Sequence, residues 1–276
     1  MRPPDMSTTG TELRALLGRL ENYYDSVPRA HAATEEIGAF TLFVAKTGQP
    51  FYARPRLKTP KITMNDVYRV LDRQTALRAP RSIEWVAEST PSLAHLAMSA
   101  GMDVQYCPLL VLSGKPKGEA ASARMLGPAD IEDLILARAA VGVGFEAGGT
   151  ERGREGLDER DAAAQLAGPV DPVAAAQLAT GATRMAAAYS AATTLGPVGG
   201  GSHSPLGDTS EITGVAVLPT FRRQGLAAAL AHVLATDAIS LGMNTVFCSA
   251  QTEAVARIYR QIGFTQIATA CIATAP

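Results

Sequence analysis

The sequence predicts an α/β fold, and three observations carry that expectation. Short apolar runs with strand character alternate with helical runs along the chain. One apolar run, "SEITGVAVLP" at 210–219, passes almost directly into a strongly helical stretch beginning near Leu226. The 276 residues are 47% hydrophobic, enough to bury one large core or two modest ones.

Taken in order, Leu13, Leu16, Leu17 and Leu20 recur at helical spacing within 11–24, and "FTLFVAKTGQPFYAR" at 40–54 reads as two strands around a Gly-Gln-Pro turn. Thr63 with Asp66 three residues on has the form of a capping box, and Val67, Val70 and Leu71 give the helix behind it an apolar stripe. "SIEWVA" is a strand, "STPSLAHLAMSAG" a helix opened by Pro91 and closed at Gly101, and "MDVQYCPLLVL" extended chain. The polar "SGKPKGEA" at 113–120 marks a boundary.

Beyond it, "GPADIEDLILARAA" predicts a helix. Pro128 sits in its first turn, Asp130, Glu132 and Asp133 suit the positive end, and Ile131, Leu134 and Ile135 share a face. "EAGGTERGREGLDER" at 146–160 reads as a mobile loop, flanking an alanine-rich helical region that runs to about Thr180. "ATRMAAAYSAATT" is expected as strand, the glycine-rich "GPVGGGSHSPLGDT" at 196–209 as a separating loop, and "SEITGVAVLP" as a buried strand.

Composition limits the function. Lys plus Arg (25) nearly balances Asp plus Glu (26), which offers no basic surface for a phosphate backbone, so no nucleic-acid partner is expected. "MRPPDMSTTG" lacks the apolar region of a signal peptide and no run of about 18 apolar residues appears, so the expectation is a soluble, cytoplasmic protein with no membrane partner. Cys107, Cys248 and Cys271 lack the spacing of a zinc site or a disulfide framework, and no metal is expected.

At the strand-to-helix junction, "LPTFRRQGLAAA" places two arginines and a glycine before a helix whose first amide N–H groups lack intrahelical acceptors. Gly225 leaves the backbone open to close approach, small Ala227 and Ala228 continue that access, and Arg222 and Arg223 add cationic donors. The site suits a pyrophosphate. Leu226, Leu230, Val233 and Leu234 would pack the helix onto the sheet, and Gly242 would close it.

Arg222-Arg223-Gln224-Gly225-Leu226-Ala227, following the strand and Pro219, resembles the R/Q-x-x-G-x-G/A motif of the GNAT family of N-acetyltransferases. A second family element follows in order: "NTVFCSAQTEAVARIYRQIGF" supplies an aromatic, Tyr259, shortly before Gly263-Phe264. The resemblance covers roughly the C-terminal half to three-fifths of the chain. It implies a mixed, mostly antiparallel central sheet flanked by helices, acetyl-CoA as acyl donor, and direct transfer to an amine in a ternary complex.

By that resemblance Glu211 would accept the amine proton, although a strand-end glutamate in solvent is the competing reading. Backbone N–H groups of Val215, Ala216 and Val217 would serve the oxyanion and the pantetheine arm, and Tyr259 would protonate the departing thiolate. Thr252 stands where many members carry asparagine, its hydroxyl replacing an amide contact to pantetheine. Cys248 reads as core rather than as an acyl-carrying nucleophile. Ser202 and His203 in "GGSHSP" lack a nucleophile-elbow pattern, while His203 and Asp208 fall in the loop reading and could touch substrate.

The N-terminal half is compared with the C-terminal half by aligning Gly101 with Gly263, which sets strand, helix, Gly-apolar, strand beside the same order. Ala97 then replaces Tyr259 and the phosphate motif is missing. The expected organisation is a degenerate GNAT-like module at 1–114 without an acyl-CoA motif and a catalytic module at 115–276, with the 147–160 loop as a lid. The expected function is acetyl transfer to a primary amine of a small molecule, by a monomer or homodimer. A non-catalytic acyl-CoA sensor or partner-binding module, and a peptide or protein acetyltransferase, are the alternatives.

Overall fold

The computed structural model describes residues 10–45, 52–59 and 61–276. The Gly48-Gln49-Pro50 turn lies outside the described residues. By its contacts the chain divides into two compact units, one of residues 1–107 with 267–276, the other of residues 108–266. The sequence reading put one division at 114/115; residues 267–276 group instead with the N-terminal segment.

The first unit is built from α1 (Gly10–Arg29), β1 (Ala32–Ile37), β2 (Phe40–Ala45), β3 (Ala53–Pro55), α2 (Met64–Ala76), β4 (Ser82–Val86) and α3 (Leu93–Ser99), and the chain leaves it within β5 (Asp103–Leu112). The capping box of α2 forms as its sequence predicts: the Thr63 hydroxyl accepts from the Asp66 N–H and the Asp66 carboxylate from the Thr63 N–H. Its stripe of Val67, Val70 and Leu71 is buried with Phe40, Leu42, Ile83 and Trp85. Strand β1 escaped the sequence reading. Only its end residues Ala32 and Ile37 are buried, while Glu35 binds Arg73 and Glu36 faces solvent near Arg56, so the period-two apolar signal of a strand is absent.

The second unit continues with β6 (Ala123–Met125), α4 (Ile131–Glu146), α5 (Leu157–Ala167), α6 (Pro172–Thr180), β7 (Arg184–Ala188), β8 (Gly199–Leu206), β9 (Thr209–Val217), α7 (Leu226–Ser240), β10 (Thr245–Ser249), α8 (Glu253–Gln261) and the start of β11 (Phe264–Thr274). Its sheet runs β6-β7-β8-β9-β10-β5, antiparallel except for the parallel pair β9–β10. The alanine-rich segment forms two helices, because Gly168 ends α5 and Asp171 caps α6 by accepting from the N–H groups of Val173 and Ala174.

The expected loop at 196–209 is corrected: most of it is β8, a central strand. Its glycines permit helix packing on both faces of the sheet. A Cβ on Gly200 would lie 3.0 Å from the Ala137 carbonyl oxygen of α4, and one on Gly201 would lie 3.0 Å from Leu234 of α7. Composition alone reads such a glycine run as punctuation, whereas here it is clearance for two helices. Beneath α7, Leu226, Leu230 and Leu234 are buried as expected, and Gly242 follows the helix at φ +84°.

Candidate functional site

Strands β9 and β10 separate early, and the gap between them is the candidate site. They pair only from Thr245↔Thr209 to Phe247↔Glu211. On the other edge of β9, Ser202 pairs with Thr213 but Gly200 with Ala216, so β9 carries one extra residue opposite Gly201. Gly214 in this bulge has φ +65°, an angle glycine adopts without steric cost. The bulge bends β9 out of register with β10, and residues 212–217 line a cleft of about 600 Å³.

Four other segments complete that cleft: Gly144, Phe145 and residues 148–151 at and beyond the end of α4, residues 221–223 and 225–228 leading into α7, Ser249 at the end of β10 with Gln251 beyond it, and α8. Between β9 and α7 the chain makes a single 3-10 turn at Pro219–Phe221, then two left-handed residues, Arg223 at φ +65° and Gly225 at φ +78°. A Cβ on Gly225 would meet nothing within 4 Å, so the dihedral angle, and not crowding by protein, calls for glycine there. Gly225 is the N-cap and brings no side-chain acceptor, which leaves the first-turn amides of α7 without one, and Leu226, Ala227 and Ala228 of that turn line the cleft.

The two arginines behave differently. Arg223 is mostly exposed and lies 3.6 Å from the still more exposed Glu151. Arg222 is turned into the protein: its guanidinium donates to the carbonyls of Gly144 (2.7 Å), Gly148 (2.6 Å), Glu151 (3.1 Å) and Val217 (3.3 Å). Burial holds its pKa below the usual arginine value. The sequence reading gave it a phosphate-donor role; its donors are instead taken by backbone oxygens, and what it positions is one wall of the cleft. Gln224 also points away, its amide oxygen accepting from the Ser190 hydroxyl.

Tyr259 lines the far side of the cleft, 5% exposed, its ring edge-on to Phe264 with centroids 5.5 Å apart. Burial pushes the phenol well above the usual tyrosine pKa, and the nearby Cys248 and Glu211 push it further. Burial likewise raises the Cys248 thiol well above its usual pKa, with Glu211 adding to the shift. A fully buried, protonated thiol is inert, in line with its reading as core. Glu211 is half-buried at the last β9–β10 pair, immediately before the residues that line the cleft.

Three expectations need correction. The Thr252 hydroxyl caps α8 by accepting from the Val255 N–H and does not line the cleft; the amide side chain that does is its neighbour Gln251. The lid segment is loop only to Gly156, because α5 begins at Leu157 and the Arg160 side chain, 1% exposed, donates to the Pro197 carbonyl. His203 is a fully buried strand residue bound to Ser210 and Asp237, whereas Asp208 keeps its expected place in a loop, the β8–β9 turn, where its carbonyl accepts from the N–H groups of Asn244 and Thr245. Sequence reasoning missed Phe145, Gln251 and Arg257 as cleft residues, and only Gln251, one place from the expected Thr252, left a signal.

Residues 171–264, from the cap of α6 to the start of β11, match the model of the acetyltransferase (GNAT) family. This segment is a GNAT acetyltransferase domain. No curated protein matches the chain. Among solved structures it is similar to a GCN5-related N-acetyltransferase from Kribbella flavida, with TM-score 0.66 and 19% identity over 95% of this chain and 96% of that one. A GCN5-related N-acetyltransferase-like protein from Streptococcus suis gives 0.56 at 11% identity, covering 95% and 97%. A putative acetyltransferase of the GNAT family from Novosphingobium aromaticivorans gives 0.53 at 12% identity, covering 95% and 98%. At these identities the likeness is one of fold, a mostly antiparallel sheet flanked by helices. Within the GNAT domain, the glycine-led helix start and the opened β9 edge fit an acyl carrier with a pyrophosphate and an amide-bearing arm. Among the described residues no group of three or more His, Cys, Asp or Glu could hold a metal ion, and no helix is long and apolar enough to cross a membrane.

Proposed function

We propose that the protein is an N-acetyltransferase that moves an acetyl group from acetyl-CoA to the primary amine of a small molecule by direct attack. The observation that carries this reading is the cleft itself, in which the unpaired edge of β9, the uncapped start of α7 and the buried phenol of Tyr259 all meet. Acetyl-CoA supplies the activated acyl group. The α7 amides at residues 226–228 and Arg223 hold its pyrophosphate, and Gln251 and the free edge of β9 hold the arm.

The N–H groups of residues 215–217 donate to the acyl oxygen as negative charge builds on it. Glu211 receives the amine proton, directly or through water, because an alkylamine with a pKa near about 10.4 is otherwise protonated at neutral pH. Tyr259, held in its protonated form by burial, gives its proton to the leaving thiolate. The N-terminal unit, which has strands and helices in a similar order but no phosphate motif, is a degenerate copy that binds no acyl-CoA.

Calorimetric titration with acetyl-CoA, followed by an amine screen, tests the reading. Gly225→Glu is expected to abolish binding. Tyr259→Phe is expected to leave affinity within about twofold and to slow the chemical step by about 10²-fold or more. Binding without transfer to any amine would favour a non-catalytic acyl-CoA sensor.

A further inference from the structure

The unit of residues 108–266 holds a second pocket, and its chemistry says which amines it admits. The pocket measures about 280 Å³ and lies between α4, α6 and strands β7–β9. It meets the large cleft at the β9 bulge, since Gly214 lines both. Its volume falls just short of the usual range of small-molecule sites, which begins near about 300 Å³, and so suits only a small acceptor.

Its walls are mainly apolar, with Val141, Leu178 and Met185, and one charged side chain reaches it, Arg138 of α4. Arg138 is exposed, and among the described residues no hydrogen bond or ion pair engages it. No carboxylate lines the pocket. Ser202, whose hydroxyl sits 3.2 Å from that of Thr213, adds a neutral polar group near the bulge.

Resting on the acetyltransferase reading above, we infer that the acceptor is a small amine that also carries a carboxylate, its apolar body in this pocket and its carboxylate on Arg138. A guanidinium offers a carboxylate two parallel donors, a geometry that a second ammonium group cannot use. A polyamine or a polycationic sugar would bring like charge to Arg138 and find no acidic partner in the pocket. The amine end is then left for the Gly214 bulge, where the acyl carbon would be presented.

Matched acceptors test this: 5-aminopentanoate against butylamine, and phenylalanine against 2-phenylethylamine, each pair differing by the carboxylate. The carboxylate member should win by about tenfold or more in kcat/KM in at least one pair, the scale of one hydrogen bond to a charged group. Arg138→Gln should remove that advantage through KM, leaving the plain amine's kcat/KM and the acetyl-CoA Kd unchanged. The inference fails if the plain amines are preferred, if Arg138→Gln weakens both members alike, or if acetyl-CoA binds but neither member is acetylated. Failure of wild-type protein to bind acetyl-CoA would overturn the acetyltransferase reading itself.

Discussion

The guanidinium of Arg222 donates to the carbonyl oxygen of Gly148 at 2.6 Å, tying the residue that follows the 3-10 turn between β9 and α7 to the loop beyond α4. With three further carbonyl acceptors it fixes residues 144–151 as a wall of the cleft. A lysine has neither the planar fork nor the number of donors for this task. Arg222→Lys is expected to cost about 1–3 kcal/mol of stability, to weaken acetyl-CoA binding about tenfold, and to speed amide exchange at 148–151. Unchanged exchange in that loop would show that Arg222 does not hold it.

Arg223 should act through charge alone. Among the described residues its one ion pair is 3.6 Å long with both side chains exposed, a contact of little stabilising value. Arg223→Ala should therefore leave the unfolding midpoint nearly unchanged while weakening acetyl-CoA binding several-fold at low salt. The difference from wild type should vanish near about 1 M salt, where the Debye length is about 3 Å. A salt-independent difference would point to a shape effect instead.

Two glycines of the same helix–sheet layer should respond in opposite directions. A side chain on Gly200 meets the Ala137 backbone of α4 at 3.0 Å, so Gly200→Val should destabilise by about 1–3 kcal/mol. Gly142 lies within α4 with nothing within 4 Å of its would-be Cβ, so Gly142→Ala should stabilise by about 0.5–1 kcal/mol. Urea unfolding midpoints of the two variants check both signs.

Stability should decline in mildly acidic solution through His203. Its Nδ1 accepts from the Ser210 hydroxyl and its Nε2–H donates to Asp237, each at 2.8 Å, in the neutral tautomer this network favours. Burial pushes its pKa below the usual 6.5 despite the pull of Asp237. A lowered folded pKa means that the unfolded chain binds the proton first, so the stability from neutral His203 is full above about pH 6.5 and is lost as pH falls below it. Burial alone would raise the Asp237 carboxyl, but hydrogen bonds from Arg184 and His203 hold it below its usual value, so its share is lost only at lower pH. His203→Gln should flatten the stability profile between about pH 5 and 7. A wild-type profile already flat there would remove His203 from this role.

Much of the site was legible because its signals are local. The left-handed glycine at 225, the small residues behind it and the aromatic before Gly263-Phe264 are set by backbone rules that act within a few residues. So are the capping box at Thr63 and the strand-to-helix order around Pro219. Strand β1 and strand β8 were illegible for opposite reasons. The first is a half-polar strand without alternation, and the second is a glycine run whose purpose is to let α4 and α7 approach.

By itself, then, the sequence determined the α/β alternation, the helix that opens on Gly225 and the presence of Tyr259 at its motif position. Tertiary structure alone decided that Arg222 clamps a loop more than seventy residues earlier in the chain, that His203 is interior, that Thr252 caps a helix while Gln251 lines the cleft, and that residues 267–276 group with residues 1–107. The division has a physical cause. Dihedral preference and capping are fixed by near neighbours, whereas a long polar side chain takes whichever buried acceptors the assembled fold leaves within its reach.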